Sequence, residues 1–138
     1  MLTLVRGLLV ELGGNPAPAG ELYGVFNALV SGDAGFIVLA EVDGVPRAAC
    51  TASYATALRT AGRYCILQEM FVEPESRSLG LGQQVIDFAL EHAAANSCQV
   101  VELGTPRRGD RQIEFYERAG FENIGARMRW RTADNRYR

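Results

Sequence analysis

The stretch from Cys65 to Asn96 constrains this chain more than any other. It opens with Cys65-Ile66-Leu67-Gln68-Glu69-Met70-Phe71-Val72, a mostly apolar run of strand length. A turn follows, Glu73-Pro74-Glu75-Ser76-Arg77-Ser78-Leu79-Gly80-Leu81-Gly82. The run to Asn96 then carries Val85, Ile86, Phe88, Ala89 and Leu90 at helical spacing, with Gln83, Gln84, Asp87 and Glu91 between them. Strand, glycine loop and helix in that order present free backbone N–H groups at a helix N-terminus. Such a terminus attracts phosphate, because its first N–H groups lack intrahelical partners and the dipole adds partial positive charge. Gly80 and Gly82 lack a Cβ, so an anion can approach the backbone closely, and Arg77 adds a fixed positive charge. The chain contains no Lys, which excludes the Walker loop. Gly80-Leu81-Gly82 lacks the third glycine of the dinucleotide fingerprint.

What remains is Arg77-x-x-Gly80-x-Gly82 behind a strand ending Val72-x-Pro74. This resembles the acyl-CoA pyrophosphate loop of the GNAT superfamily of N-acetyltransferases. A second block, Asp110 to Phe121, is similar to the helix and stop that follow the fifth strand of that superfamily, in Phe115-Tyr116, three residues, then Gly120-Phe121. Read locally, Ile113, Tyr116 and Ala119 share one helical face, and Gly120 suits a left-handed cap. The resemblance covers roughly Phe36 to Trp130.

The resemblance implies an α/β fold of GNAT type: a mixed, mostly antiparallel sheet with a central parallel pair, flanked by helices. It implies acetyl-CoA as co-substrate. Two strands, Cys65–Val72 and Gln99–Thr105, would splay apart at their C-terminal ends. The N–H groups of Met70 and Val72 would then be open, Met70 to polarise the thioester carbonyl and Val72 to hold the pantetheine. Arg77, Ser78, Leu79, Gly80, Leu81 and Gly82 would hold the pyrophosphate. Tyr116 matches the family's acid for the leaving thiolate. Glu69, mid-strand beside the expected acetyl site, is the first candidate base, with Glu102 in reserve and water as an intermediary. Gln68 sits where some relatives carry Glu. Ser78 replaces a common Gly, and Asp110 replaces an Asn that would donate to pantetheine. Family members usually open with a strand, whereas this chain reads as beginning in helix, so the usual first strand is expected to be lacking.

With 138 residues, 48% hydrophobic and 22% charged, the chain reads as one domain over 1–138, with 132–138 as a flexible tail. A net charge of −2 gives no reason to expect nucleic acid or an anionic membrane as partner. Nine arginines between Arg107 and Arg138 crowd the last quarter, mostly as a solvated face and tail. Cys50, Cys65 and Cys98 form no Cys-x-x-Cys pair and read as buried, reduced thiols of a cytoplasmic protein. His92, the one His, lies on a polar helix face, so no metal site is expected.

In chain order, Leu2, Val5, Leu8, Leu9 and Leu12 fit one face of a core helix. Gly13 to Pro18 breaks it. Glu21–Val30 is a second helix with Leu22, Val25, Phe26 and Leu29 inward. Phe36–Val42 and Val45–Tyr54 form a hairpin about Asp43-Gly44. Ala55 to Arg63 is a connection, and Asn123–Arg131 a last strand.

The functional reading is an acetyl-CoA-dependent N-acetyltransferase acting on a primary amine, small-molecule or peptide, by direct attack in a ternary complex. The alternative is a non-catalytic acyl-CoA-binding or sensing module, to which Gln68, Asp110 and the absent strand would be suited. Phe36 to Ala40 has neither Pro nor charge, so as an edge strand it invites pairing with a second copy, a homodimer.

Overall fold

The computed structural model describes residues 17–105 and 110–135. The expected helix over Leu2–Leu12, and with it the question of a first strand, lies outside the described residues. Helix α1 (Ala19–Val30) starts after Pro18 and closes where the Ser31 N–H donates to the Asn27 carbonyl at 3.0 Å. Leu22, Phe26 and Leu29 are half-buried, but Val25, expected inward, is 60% exposed. Leu22, Phe26 and Leu29 fall at i, i+4 and i+7 and form a narrow stripe, and Val25 lies at its margin.

Strands β1 (Gly35–Val42) and β2 (Val45–Ala57) pair antiparallel about the expected two-residue turn. Asp43 and Gly44 both take positive φ, 52° and 76°, the type I′ conformation whose twist matches the strands. β2 runs further than the hairpin motif indicates. It ends at Ala57, one 3-10 turn over Leu58–Thr60 and a left-handed Ala61 reverse the chain, and β3 (Gly62–Val72) returns antiparallel. The segment Ala55–Arg63 is therefore mostly strand. Helix α2 (Leu81–Ala95) crosses to β4 (Val101–Leu103), which pairs parallel with β3, giving the order β1-β2-β3-β4. β4 is shorter than the expected Gln99–Thr105. Helix α3 (Asp110–Arg118) ends in a Schellman motif, with the Phe121 N–H on the Tyr116 carbonyl and the Gly120 N–H on the Glu117 carbonyl. Gly120 has φ 100°, the role read for it in the sequence.

The core lies between the sheet and α2. In β2, Ala48, Cys50 and Ala52 are fully buried, and their small side chains let α2 approach closely with Val85, Ile86, Ala89 and Ala93. Burial of Val85 and Ile86 contributes about 1.5–3 kcal/mol each. Among the described residues α1 has no such anchor in its helix. α2 is the better fixed of the two. Two residues read otherwise from sequence. Phe88 is exposed, and His92 is half-buried with its ring 4.5 Å from that of Phe36.

The expected strand Asn123–Arg131 is not a strand. Its alternation is real, but Ile124, Met128 and Trp130 are 77%, 92% and 84% exposed. A period-two pattern yields a strand only when an edge pairs with it, and none of the described residues does so. Side-chain contact remains: the Arg127 side chain occupies the space beside Gly104, at the end of β4.

Gly35 marks a tight contact between strands. A Cβ there would lie 1.9 Å from the Ala52 carbonyl oxygen and 2.9 Å from a Leu29 methyl. Gly35→Ala is expected to lower stability by about 1–3 kcal/mol, as overpacking does. Gly20→Ala, in α1 with open space around it, is expected to be neutral or stabilising by up to about 1 kcal/mol. Urea unfolding of both variants checks the contrast. Equal stabilities would mean that the strands part without cost at Gly35.

Candidate active site

The ladder between β2 and β3 is interrupted once. Thr51 pairs with Glu69 and Ala52 with Leu67, so Gln68 is an extra residue, a β-bulge. Before it, Cys65 and Leu67 face the α2 core; after it, Met70 and Val72 do. Phe71 turns to the opposite face with Ala49, and Glu69 shares that face by alternation.

The bulge also switches the direction of the backbone N–H groups. The Cys65 N–H donates to the Val100 carbonyl at 3.0 Å, toward β4. Past the bulge, the Glu73 N–H donates to the Arg47 carbonyl at 2.8 Å, toward β2. Counting back by twos, Phe71 and Glu69 also point to β2, which leaves Met70 and Val72 pointing to the β4 side. There β4 has stopped pairing, its last register partner being Leu103 opposite Leu67. The two N–H groups singled out in the sequence thus lie on an edge without a described strand beside it.

The loop brings the helix N-terminus to this edge. Gly80 caps α2 with φ 75°, no side chain caps the helix, and its first turn holds no acidic residue. The first N–H to find a helical acceptor is that of Gln84, on the Gly80 carbonyl at 3.3 Å. Those of Leu81, Gly82 and Gln83 precede it, as at any helix start. Leu79 differs from the sequence expectation, since its N–H donates to the Ser76 carbonyl at 3.2 Å and is used inside the turn. Ser78 and Leu79 have exposed side chains. The Arg77 Nε donates to the Val72 carbonyl at 3.0 Å, tying the loop to the strand end.

Phe115 and Met70 both approach Gly82. A Cβ on Gly82 would lie 3.4 Å from the Phe115 ring and 3.6 Å from the Met70 methyl, so α2, β3 and α3 converge there. Tyr116 stands edge-on to Phe115 and Phe121, with ring centroids 5.1 Å and 5.8 Å away. Burial, and next the nearby Cys50 thiol, push its hydroxyl up to about 12, so it stays protonated at neutral pH. Cys50 is the cross-strand partner of Met70.

Glu69 is half-buried, and burial raises its pKa. Thr51, 4% exposed, donates its hydroxyl to Glu69 Oε2 and accepts the Glu69 N–H at 3.2 Å. Glu102, the reserve base, is instead gripped by Arg59 at 2.9 and 3.0 Å. Glu102 lies opposite Ile66 on the same sheet face as Glu69, and both of its oxygens are engaged by the Arg59 guanidinium. Sequence reading missed Thr51 and the bulge. The bulge had a signal: two consecutive polar residues, Gln68 and Glu69, interrupt the apolar alternation between Leu67 and Met70. Among the described residues no three His, Cys, Asp or Glu side chains cluster to hold a metal, and no helix is long and apolar enough to cross a membrane.

The model of the Acetyltransferase (GNAT) family matches residues 9–121. An uncharacterized N-acetyltransferase of Archaeoglobus fulgidus is 32% identical over 93 residues, 66% of this chain and 63% of that protein. One of Methanocaldococcus jannaschii is 39% identical over 56 residues, 41% of this chain and 25% of that protein. The chain therefore matches less than two thirds of the length of either relative. Among solved structures, a chain described as an acetyltransferase of Agrobacterium tumefaciens aligns with TM-score 0.78 and 26% identity, over 94% of this chain and 91% of that one. Glucosamine-6-phosphate N-acetyltransferase of Arabidopsis thaliana aligns with TM-score 0.75 and 23% identity, over 91% and 86%. An aminoglycoside N-acetyltransferase in complex with CoA aligns with TM-score 0.72 and 19% identity, over 95% and 92%.

A buried carboxyl with a raised pKa has a definite stability signature. Its contribution is intact below the unfolded carboxylate range and is lost as pH rises through the folded value. Glu69→Gln is therefore expected to gain stability relative to the parent between pH 4 and pH 7. Urea midpoints of the two proteins at both pH values measure it. A difference that does not change with pH would put this carboxylate in a water-like environment.

Proposed function

Because the chain belongs to the GNAT acetyltransferase family, we propose that it transfers the acetyl group of acetyl-CoA to a primary amine by direct attack in a ternary complex. The observation that carries this reading is the open β3 edge. The Met70 and Val72 N–H groups point off that edge, and the uncapped N-terminus of α2 lies beside it. In the reaction the amine nitrogen bonds to the thioester carbon, the C–S bond breaks, and the amine loses a proton. The Met70 N–H stabilises the oxyanion and the Val72 N–H holds the pantetheine. Arg77, Ser78, Gly80, Leu81 and Gly82 receive the pyrophosphate. Glu69 takes the amine proton, directly or through water.

Tyr116 serves the leaving thiolate. A thiol titrates near about 8.5, so full proton transfer from a hydroxyl near 12 runs uphill by roughly 5 kcal/mol. Its main contribution is then a hydrogen bond to sulfur as charge develops, with protonation completed as the product leaves. The glucosamine-6-phosphate and aminoglycoside acetyltransferases of the same fold support amino sugars as the first acceptors to try. The same reading takes the protein as cytoplasmic, with its three cysteines free and buried. It also takes the protein as a homodimer paired through the outer edge of β1, which has no strand partner among the described residues. Sedimentation over a dilution series tests the dimer, and a monomer at every concentration rejects it.

Acetyl-CoA is expected to raise the melting temperature, and Arg77→Ala or Gly80→Leu to shrink that rise relative to each variant's own baseline. In a thiol-release assay with glucosamine 6-phosphate, kanamycin and peptide amines, at least one acceptor is expected to saturate. Tyr116→Phe is expected to cut turnover about 10²-fold or more with the acetyl-CoA shift retained. A thermal shift with no turnover on any amine would favour the acyl-CoA-binding alternative. Full turnover in Tyr116→Phe would leave the ring as packing.

A further inference from the structure

We propose that Thr51 is a positioning residue for Glu69: its hydroxyl holds Oε2 and leaves Oε1 to receive the proton of the attacking amine. This rests on the reading of Glu69 as base. Thr51 lies in the middle of β2 among Ala48, Ala49, Cys50 and Ala52, and it is one of two buried polar residues among those described, with Ser76. A hydroxyl in such a place needs partners, and Thr51 finds both in Glu69. The bulge at Gln68 displaces the Glu69 N–H from the ladder, and Thr51 Oγ1 accepts it. With that lone pair engaged, the hydroxyl hydrogen is directed to the carboxylate, where Oε2 accepts it. The described residues give Oε1 no hydrogen-bond donor. One side chain thus satisfies the bulge and sets the carboxylate's orientation.

The same bond favours the ionised carboxylate, opposing the burial that disfavours it. Other groups do little of this. On the Glu69 face by register, β1 carries Glu41, β2 carries Arg47, whose guanidinium is paired with Glu73 at 2.6 Å, β3 carries Tyr64 and β4 carries Glu102, which Arg59 holds. Arg77 lies above Phe71, 5.9 Å from its ring centroid. α1, which packs on β1 and β2, carries Glu21 and Tyr23, and Cys50 presents its thiol to the opposite face.

The test is a side-chain carboxyl NMR titration of the full chain labelled with ¹³C-glutamate, without acceptor, the Glu69 signal being assigned as the one lost in Glu69→Gln. Thr51→Val keeps the shape and removes the hydroxyl, and its Glu69 midpoint is expected to rise by roughly one to two pH units. Thr51→Ser restores both bonds and is expected to return the midpoint to that of the parent. An unchanged midpoint in Thr51→Val, or equal midpoints in the Val and Ser variants, overturns the positioning role and leaves the base assignment standing. If Glu69→Gln keeps full turnover in the thiol-release assay, the base assignment falls instead, whatever the titration gives. Should Thr51→Val not fold, the Ser variant decides: a midpoint displaced from the parent's in Thr51→Ser, where the hydroxyl persists, contradicts the proposal.

Discussion

Gln68 has no partner across the β2–β3 ladder, and the geometry on both sides of the sheet follows from that. A regular strand would send the N–H groups of Leu67, Glu69 and Phe71 to β4, with those of Met70 and Val72 toward β2. The extra residue shifts the count by one, so the Met70 and Val72 N–H groups face the side where β4 has ended. It also exchanges the sheet faces of all that follows, which puts Met70 and Val72 on the α2 core and Glu69 on the other side. A bulge displaces a backbone N–H from the ladder, and a buried N–H without a partner costs about 1–3 kcal/mol. Here the Thr51 hydroxyl removes that cost.

The second determinant is the size of the residues in β2. Ala48, Cys50 and Ala52 present little bulk, so Val85, Ile86 and Ala89 of α2 bury themselves fully against them. Fixing α2 fixes its N-terminus. Gly82 then stands against Met70 and Phe115 with no Cβ between them, and α3 closes the same corner with Tyr116. α2, β3 and α3 thus meet through packing, and among the described residues no ion pair joins the three.

Much of this was legible in the residues. The strand, loop and helix of Cys65–Asn96, the Asp43-Gly44 turn and the Gly120 stop all depend on short-range rules, and each stands in the structure. Phe115 and Met70, far apart in the chain, both approach Gly82, and Tyr116 lies near the Cys50 thiol, across the ladder from Met70. Other expectations depended on neighbours. Val25 and Phe88 have apolar side chains at plausible helical positions, yet both face solvent, because the width of a buried stripe is set by the surface opposite it. His92 packs on Phe36 because β1 lies under that turn of α2. Ile124, Met128 and Trp130 alternate as a strand would, yet the segment has no ladder among the described residues.

Sequence by itself determined the order of elements from the helix at Ala19 to the one ending at Arg118, the turn chemistry and the glycine start of α2, since glycine placement and apolar periodicity act within a few residues of chain. Only the tertiary structure decided which N–H groups point off the β3 edge and which partner each strand carboxylate takes. Glu69 and Glu102 are alike as sequence, each a carboxylate within an apolar strand. Arg59, forty-three residues away, takes Glu102, whereas Thr51, eighteen residues away across the bulge, holds Glu69. Those partners are chosen by strand register, and register is a property of the assembled sheet, not of either strand alone.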